Sequence, residues 1–449
     1  MATFQAAPTL QPRLLSRLNE ARSRTAELFK FLTPASFYDR PIAQRHRMIF
    51  YLGHLEAFDW NLLSPVLDLA PHDAEFDKLF AFGIDPVGGG LPTDTPTDWP
   101  TIAQVEEYNR LVRSRLDEAL GDFRALRSSA PALADGTLLH VAIEHRLMHA
   151  ETIAYLLHNL PIERKTPQAE PIADPRPAPE PRQVTIPAGI ATLGQPRHIG
   201  AFGWDNEFEV HETHVPAFSI DAFPVTNAQY LKFVQAGGYE DAKFWRPEDW
   251  EWKRSKRLDH PYFWIRRSSS PAADTKTRWE YVGMFGTIPL PPSWPVYVSH
   301  AEASAFARWA GRKLPTEAQW HRAAYGAPDG NERAYPWGEM PPSESHGNFH
   351  HQQWDATAVD AHPAGASAFG VFDLLGNGWE WTSSAFEQFP GFQPFPFYRG
   401  YSADFFDGKH FVMKGGSART DASMLRRSFR NWFQPHYPHI YATFRCVED

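Results

Sequence analysis

The sequence predicts an α+β protein of two domains, an N-terminal four-helix bundle followed by a C-terminal domain of short strands and long loops. At 449 residues the chain is roughly two to three times a typical domain. Apolar residues return every three or four positions as far as Leu160, the period of a helix. From Val184 onward Gly, Pro and aromatic residues are interleaved with short apolar runs, the pattern of a loop-rich strand domain.

The helical pattern is clearest in RMIFYLGHLEAFDWNLLSPVL and in TLLHVAIEHRLMHAETIAYLLHNL. Between them, Asp94 to Pro100 reads as a turn before a further helix, TIAQVEEYNRLVRSRLDEAL. With the segment from Leu14 these make four helices, the number a bundle needs. ERKTPQAEPIADPRPAPEPRQ is rich in Pro and charge, as an extended connector should be. The expected division is a bundle over 10–161, a linker over 162–183 and a second domain over 184–449.

A hydrophobic fraction of 43% and an aromatic fraction of 14% exclude disorder for most of the chain. The net charge of -9, with no Lys/Arg-rich run, argues against nucleic acid as a partner and leaves small-molecule substrates as the expectation. The first residues lack a signal-peptide core, and no stretch approaches the ~20 apolar residues of a spanning helix. A cytoplasmic protein without a membrane partner is expected, and the sequence is silent on oligomeric state. One cysteine, Cys446, permits neither an internal disulfide nor a thiolate cluster, so a metal site here must use His, Asp or Glu.

His145 and His149 are four apart on one helix, so both imidazoles leave the same face and can close on one ion. Glu144 and Glu151 lie on other faces. Taken alone, such a pair is as readily two buried polar residues. His54 changes the balance, because it sits in a strongly apolar helix beside Tyr51, Leu52, Leu55 and Phe58, where an uncompensated imidazole is costly. Three neutral imidazoles leave open coordination positions, as a catalytic site requires. Spacing does not choose the metal: the set suits zinc hydrolysis and oxygen-activating iron alike.

The motifs VTIPAGIATLG, PVTNAQYLKFV, VSHAEASAFARWAGRKLPTEAQWHRAAYG, YPWG, LLGNGWEWT, KGGSART, FRNWF and ATFRC follow one another through the second half. In that order they resemble the C-type-lectin-like fold of formylglycine-generating enzymes and sulfoxide synthases. The first half is similar to a DinB-type bundle, with YLGH and EHRLMHAE where that fold carries its three metal histidines. The pairing resembles the ergothioneine sulfoxide synthases and the selenoneine synthases. The resemblance implies an O2-dependent iron(II) enzyme, with O2 as co-substrate, that forms a carbon–sulfur or carbon–selenium bond at the imidazole C2 of hercynine.

By the same resemblance PFYRGYSADFF places Tyr398 at the catalytic tyrosine and Tyr401 at its substrate-lining neighbour. Asn431 and Trp432, in FRNWF, match positions lining the hercynine pocket, where an aromatic face suits a trimethylammonium group. Arg110 and Arg113, three apart on a bundle helix, resemble an arginine pair that holds a donor's carboxylates. The GNGWEWT segment reads as scaffold.

Two positions depart from the pattern. Phe433 stands where γ-glutamylcysteine-using enzymes can carry an aspartate, and Met148 where many members have a glutamine. Both imply a donor without charged arms, and a neutral selenosugar fits best. A selenoneine synthase is the first expectation and an ergothioneine sulfoxide synthase using cysteine or γ-glutamylcysteine the second. Among other classes, a formylglycine-generating enzyme would need a pair of cysteines that Cys446 cannot make. A DinB-type zinc thiol transferase would not need the second domain, and a non-catalytic binding protein would not need three histidines.

Overall fold

The computed structural model describes residues 10–81, 91–121, 131–166, 172–197, 201–267 and 278–448. They form two compact units, Met1–Ala169 and Glu170–Asp449. Of the expected linker, residues 167–171 lie outside the described residues.

The first unit is helical, with α1 (Leu10–Phe29), α2 (Met48–Leu63), α3 (Ala74–Leu79), α4 (Ile102–Gly121), α5 (Pro131–Ala134) and α6 (Thr137–His158). α4 buries one stripe, Val105, Tyr108, Val112, Leu116 and Leu120, at the spacing of an amphipathic helix facing a core. α2 and α6 bury residues on nearly every side, which makes them the central pair of the bundle. α1 packs on α6, and α2 packs on α4 and α6. The short α3 is capped by Asp73, whose carboxylate accepts the N–H groups of Glu75 and Phe76 at 3.1 Å each. Asp77 of α3 accepts the Tyr108 hydroxyl at 2.6 Å and the Trp60 indole N–H at 3.2 Å, which ties α3 to α4 and α2.

The second unit combines β1 (Gln183–Ile186), β2 (Gly189–Leu193), β3 (His211–Val215), β4 (Phe218–Asp221), α7 (Asn227–Gln235), α8 (Pro247–Lys256), β5 (Trp264–Arg267), β6 (Arg278–Gly283), β7 (Gly286–Pro289), α9 (His300–Trp309), α10 (Glu317–Tyr325), β8 (Trp379–Ala385), β9 (Phe411–Lys414), β10 (Asn431–Phe433), β11 (Ala442–Thr443) and β12 (Val447–Glu448). Its sheets run β1-β4-β12, β10-β9-β8-β11, β2-β3 and β5-β6-β7. α10 packs on β2, β3, β8 and β9, placing Trp320 in the core with Ile186, Phe218, Ile220 and Leu374. Capping boxes start α7, α9 and α10 at Thr226, Ser299 and Thr316, each closed by the Gln or Glu three residues on.

The GNGWEWT segment is structural in this unit. Buried Glu380 accepts Arg445 at 2.6 Å through both carboxylate oxygens and the Trp320 indole at 3.0 Å, and Trp381 donates to the Val298 carbonyl at 2.9 Å. Cys446 is free and buried. Among the described residues no helix is long and apolar enough to cross a membrane.

Candidate metal centre

Because α2 and α6 are the central pair, polar side chains on their facing surfaces are forced into the bundle core. His54 on α2 and His145 and His149 on α6 meet there, each 2–3% exposed. One ring nitrogen from each lies within 4.8 Å of the other two, close enough for one ion. The ring centroids are 4.4 to 5.2 Å apart. Phe58, one turn beyond His54, stacks on His145 at 3.4 Å, and Phe50 stacks on His54 at 4.8 Å. These aromatic walls fix the ring planes.

The site holds its imidazoles neutral, as a metal ligand must be. Burial drives His54 down to about 4, opposed by its hydrogen bond to Phe80. Burial and then the neighbouring imidazoles hold His145 well below the ordinary histidine value, and the same holds for His149. His54 Nδ1 donates to the Phe80 carbonyl at 2.7 Å, which leaves the Nε2 lone pair for an ion. The buried Nδ1 atoms of His145 and His149 have no hydrogen-bond partner among the described residues. Three neutral, closely grouped imidazoles with unmet ring nitrogens fit a metal ion, and the donor set is compatible with iron or zinc.

Behind the histidines lies a buried ion network. Arg146 donates through Nε to Asp59 at 2.8 Å and through Nη2 to the Leu55 carbonyl at 3.0 Å, and Nη2 lies 2.8 Å from Glu56. Because Arg146 immediately follows His145, these bonds tie α6 beside His145 to the stretch of α2 that follows His54. Arg113 donates to the same Glu56 carboxylate, while Arg110 forms an exposed pair with Glu107 at 2.6 Å. Both arginines therefore face carboxylates of their own unit. Met148 is half-buried on α6.

In the second unit, Tyr398, Tyr401 and Trp432 come together in one aromatic group. Tyr401 stacks on Trp204 at 3.9 Å, lies 5.5 Å from Tyr398 and meets Trp432 edge-on at 5.5 Å. Trp432 stacks on Phe386 at 4.0 Å. It lies on β10, paired with Val412 of β9, between Asn431 and Phe433. The Asn431 side-chain oxygen accepts the Trp432 N–H at 2.8 Å, and the Phe433 ring stacks on Tyr437 at 5.2 Å. Burial and the charge of Asp205 push the Tyr398 phenol up to about 12, so it is a protonated hydroxyl at neutral pH.

Sequence reasoning missed Phe80, whose contribution is a backbone carbonyl and has no residue-type signature. It also missed Phe58 as a wall for His145, although the four-residue spacing from His54 could have suggested it. Glu56 and Asp59, two acids in an otherwise apolar helix, were a readable signal of a buried partner. Trp204 and Asp205 had no signal beyond the short run WDNE.

A model of the sulfatase-modifying factor enzyme 1-like domain matches residues 168–449, and one of the DinB superfamily matches residues 17–153. Hercynine oxygenase of Mycolicibacterium thermoresistibile is 35% identical over 353 residues, covering 77% of this chain and 75% of that protein. Hercynine oxygenase of Mycobacterium tuberculosis is 40% identical over 247 residues, 55% of this chain and 56% of the relative. Ergothioneine biosynthesis protein 1 of Neurospora crassa is 27% identical, covering 94% of this chain. The matched region spans just over half the length of the last two relatives, 56% in each. The chain belongs to the hercynine oxygenase family, as a DinB-superfamily domain followed by a sulfatase-modifying factor enzyme 1-like domain.

Proposed function

We propose that the chain is an O2-dependent non-heme iron(II) oxidoreductase that joins a selenosugar to the imidazole C2 of hercynine, a selenoneine synthase. The observation that carries this reading is the set of three buried, neutral imidazoles able to share one ion, in a chain of this family. In the net reaction the imidazole C–H and the chalcogen–hydrogen bond give way to a carbon–chalcogen bond, and the two hydrogens with their electrons pass to O2. Iron(II), when bound by His54, His145 and His149, would supply open positions for O2 and the donor.

Tyr398 is the proposed proton source. Its hydroxyl stays protonated at neutral pH and sits half-buried beside the Tyr401 and Trp204 rings, so it has a proton to give. Tyr401, Asn431 and Trp432 are the proposed hercynine-lining residues, with the Trp432 face directed to the trimethylammonium group. The donor assignment follows from charge. Phe433 and Met148 offer no ionic partner, and a donor carboxylate would compete with Glu107 for Arg110 and with buried Glu56 for Arg113. A neutral sugar needs neither arginine.

A second reading, a sulfoxide synthase using cysteine or γ-glutamylcysteine, is favoured by the names of the relatives. Anaerobic loading with iron(II), followed by O2, hercynine and each donor separately, distinguishes the two by product mass. Coupling of the sulfur donors alone sinks the selenium reading, and coupling of none sinks the reaction class. Replacing Tyr398 with Phe should leave metal content unchanged and divert turnover toward simple donor oxidation. An unchanged product ratio would return Tyr398 to a packing role.

A further inference from the structure

The run Trp204–Glu207 forms a turn buried to 0–1% exposure at all four positions. Its far end is held rigidly. The Trp204 N–H donates to Glu207 at 2.9 Å, Glu207 also accepts Arg426 and the Ser428 hydroxyl at 2.6 Å, and Arg430 donates to the Asn206 carbonyl at 3.3 Å. Because Arg430 immediately precedes β10, the turn is tied to the strand that carries Asn431 and Trp432.

Its near end holds the tyrosine loop. Around Tyr398 the backbone bonds are local: Tyr398 N–H to Phe395 at 3.1 Å, Tyr401 to Tyr398 at 3.3 Å, and Phe405 to Ser402 at 3.0 Å. Local turns alone leave a loop free to shift as a body, so its place is set by side-chain anchors. Trp204 supplies one by stacking on Tyr401. Asp205 supplies the other by accepting the hydroxyl of buried Ser402, whose oxygen also lies 3.4 Å from the Asn206 amide nitrogen. Among the described residues Asp205 forms no ion pair, so burying it is unfavourable in itself, and that cost is retained at the point where the loop is fixed.

We propose that Asp205 is a positioning residue for Tyr398, acting through Ser402 to hold the tyrosine loop in one arrangement against the Trp204–Glu207 turn. This rests on the reading of Tyr398 as the proton source. Removing either partner of this buried hydrogen bond should raise the loop's opening equilibrium about tenfold, which is about 1.4 kcal/mol.

The test is amide hydrogen exchange on the full chain, with product analysis. In D205A and in S402A the amides of Tyr398, Tyr401 and Phe405 should exchange about tenfold faster, with α2 amides and metal content unchanged. D205N keeps an acceptor for the Ser402 hydroxyl and should stay near the native rates. In the reaction, D205A and S402A should divert turnover toward simple donor oxidation. If D205A does not fold, S402A decides. Native exchange in the loop of the folded variants overturns the anchor, whatever the enzyme's substrate. Faster exchange with an unchanged product ratio overturns the positioning role. Failure of the wild-type chain to couple any donor to hercynine refutes the proposed function alone, and the exchange result still decides the anchor.

Discussion

Asp205 and His54 illustrate opposite uses of burial at single residues. Burial lowers His54 and so keeps a lone pair available, whereas it raises the Asp205 carboxyl to about 6 from the ordinary 3.8, with the Ser402 hydroxyl opposing. A carboxyl raised on folding leaves stability intact below its unfolded value, and that stability is lost as pH rises through the folded one. D205N should therefore match the wild type near pH 4 and exceed it by about 3 kcal/mol at pH 8. Urea unfolding at the two values checks this, and a wild-type advantage at the higher pH would contradict it. The three histidines were legible because an imidazole in an apolar helix demands a reason. The positions of Arg110 and Arg113 on their helix were legible too, but their engagement by Glu107 and Glu56 was not, since a single sequence does not show which acid faces which base.

At the scale of elements, the metal centre depends on how α2, α3 and α6 are set against one another. Arg146 links α6 to α2 through Asp59, Glu56 and the Leu55 carbonyl, all inside the core. Replacing it with Met removes both bonds from buried Asp59, whose remaining partner Arg22 lies 3.9 Å away, while Glu56 keeps Arg113. The change should cost about 3–5 kcal/mol in urea unfolding, and a loss under about 1 kcal/mol would show that the network relaxes without it. Gly53 reports on the other contact. A Cβ there would lie 2.6 Å from the Phe80 ring, so Gly53→Ala must move the residue whose carbonyl orients His54. Metal affinity should fall about 10–100-fold, as it does when an outer-shell partner is disturbed, despite the ~1 kcal/mol gain in helix propensity. A titration with unchanged affinity would mean that the ring yields while its carbonyl stays. Helical periodicity revealed α2, α4 and α6, and the S-x-x-E and T-x-x-Q signals mark the capping boxes of the second unit. The three-residue turn after Trp204 is too short for any period to reveal.

For the whole molecule, the order of motifs was legible because each is a local pattern, while the aromatic group of the second unit was not, since it joins residues from positions 204 to 432. The same contrast of scale governs stability. A ligand that binds the folded chain and not the unfolded one stabilises it by about 2.7 kcal/mol at a hundredfold excess over Kd. An ion at the three histidines must therefore raise the melting temperature in proportion to the logarithm of its concentration, and for a unit of this size about 2.7 kcal/mol corresponds to a rise on the order of 5–10 °C. Far-UV circular dichroism, weighted toward the helical unit, should register the shift on addition of iron(II) under anaerobic conditions, with zinc(II) as the alternative ion. His149→Ala removes one of three ligands and should abolish both the shift and stoichiometric binding. A wild-type shift that survives in His149→Ala would place the ion elsewhere in the chain and remove the observation on which the proposed chemistry rests.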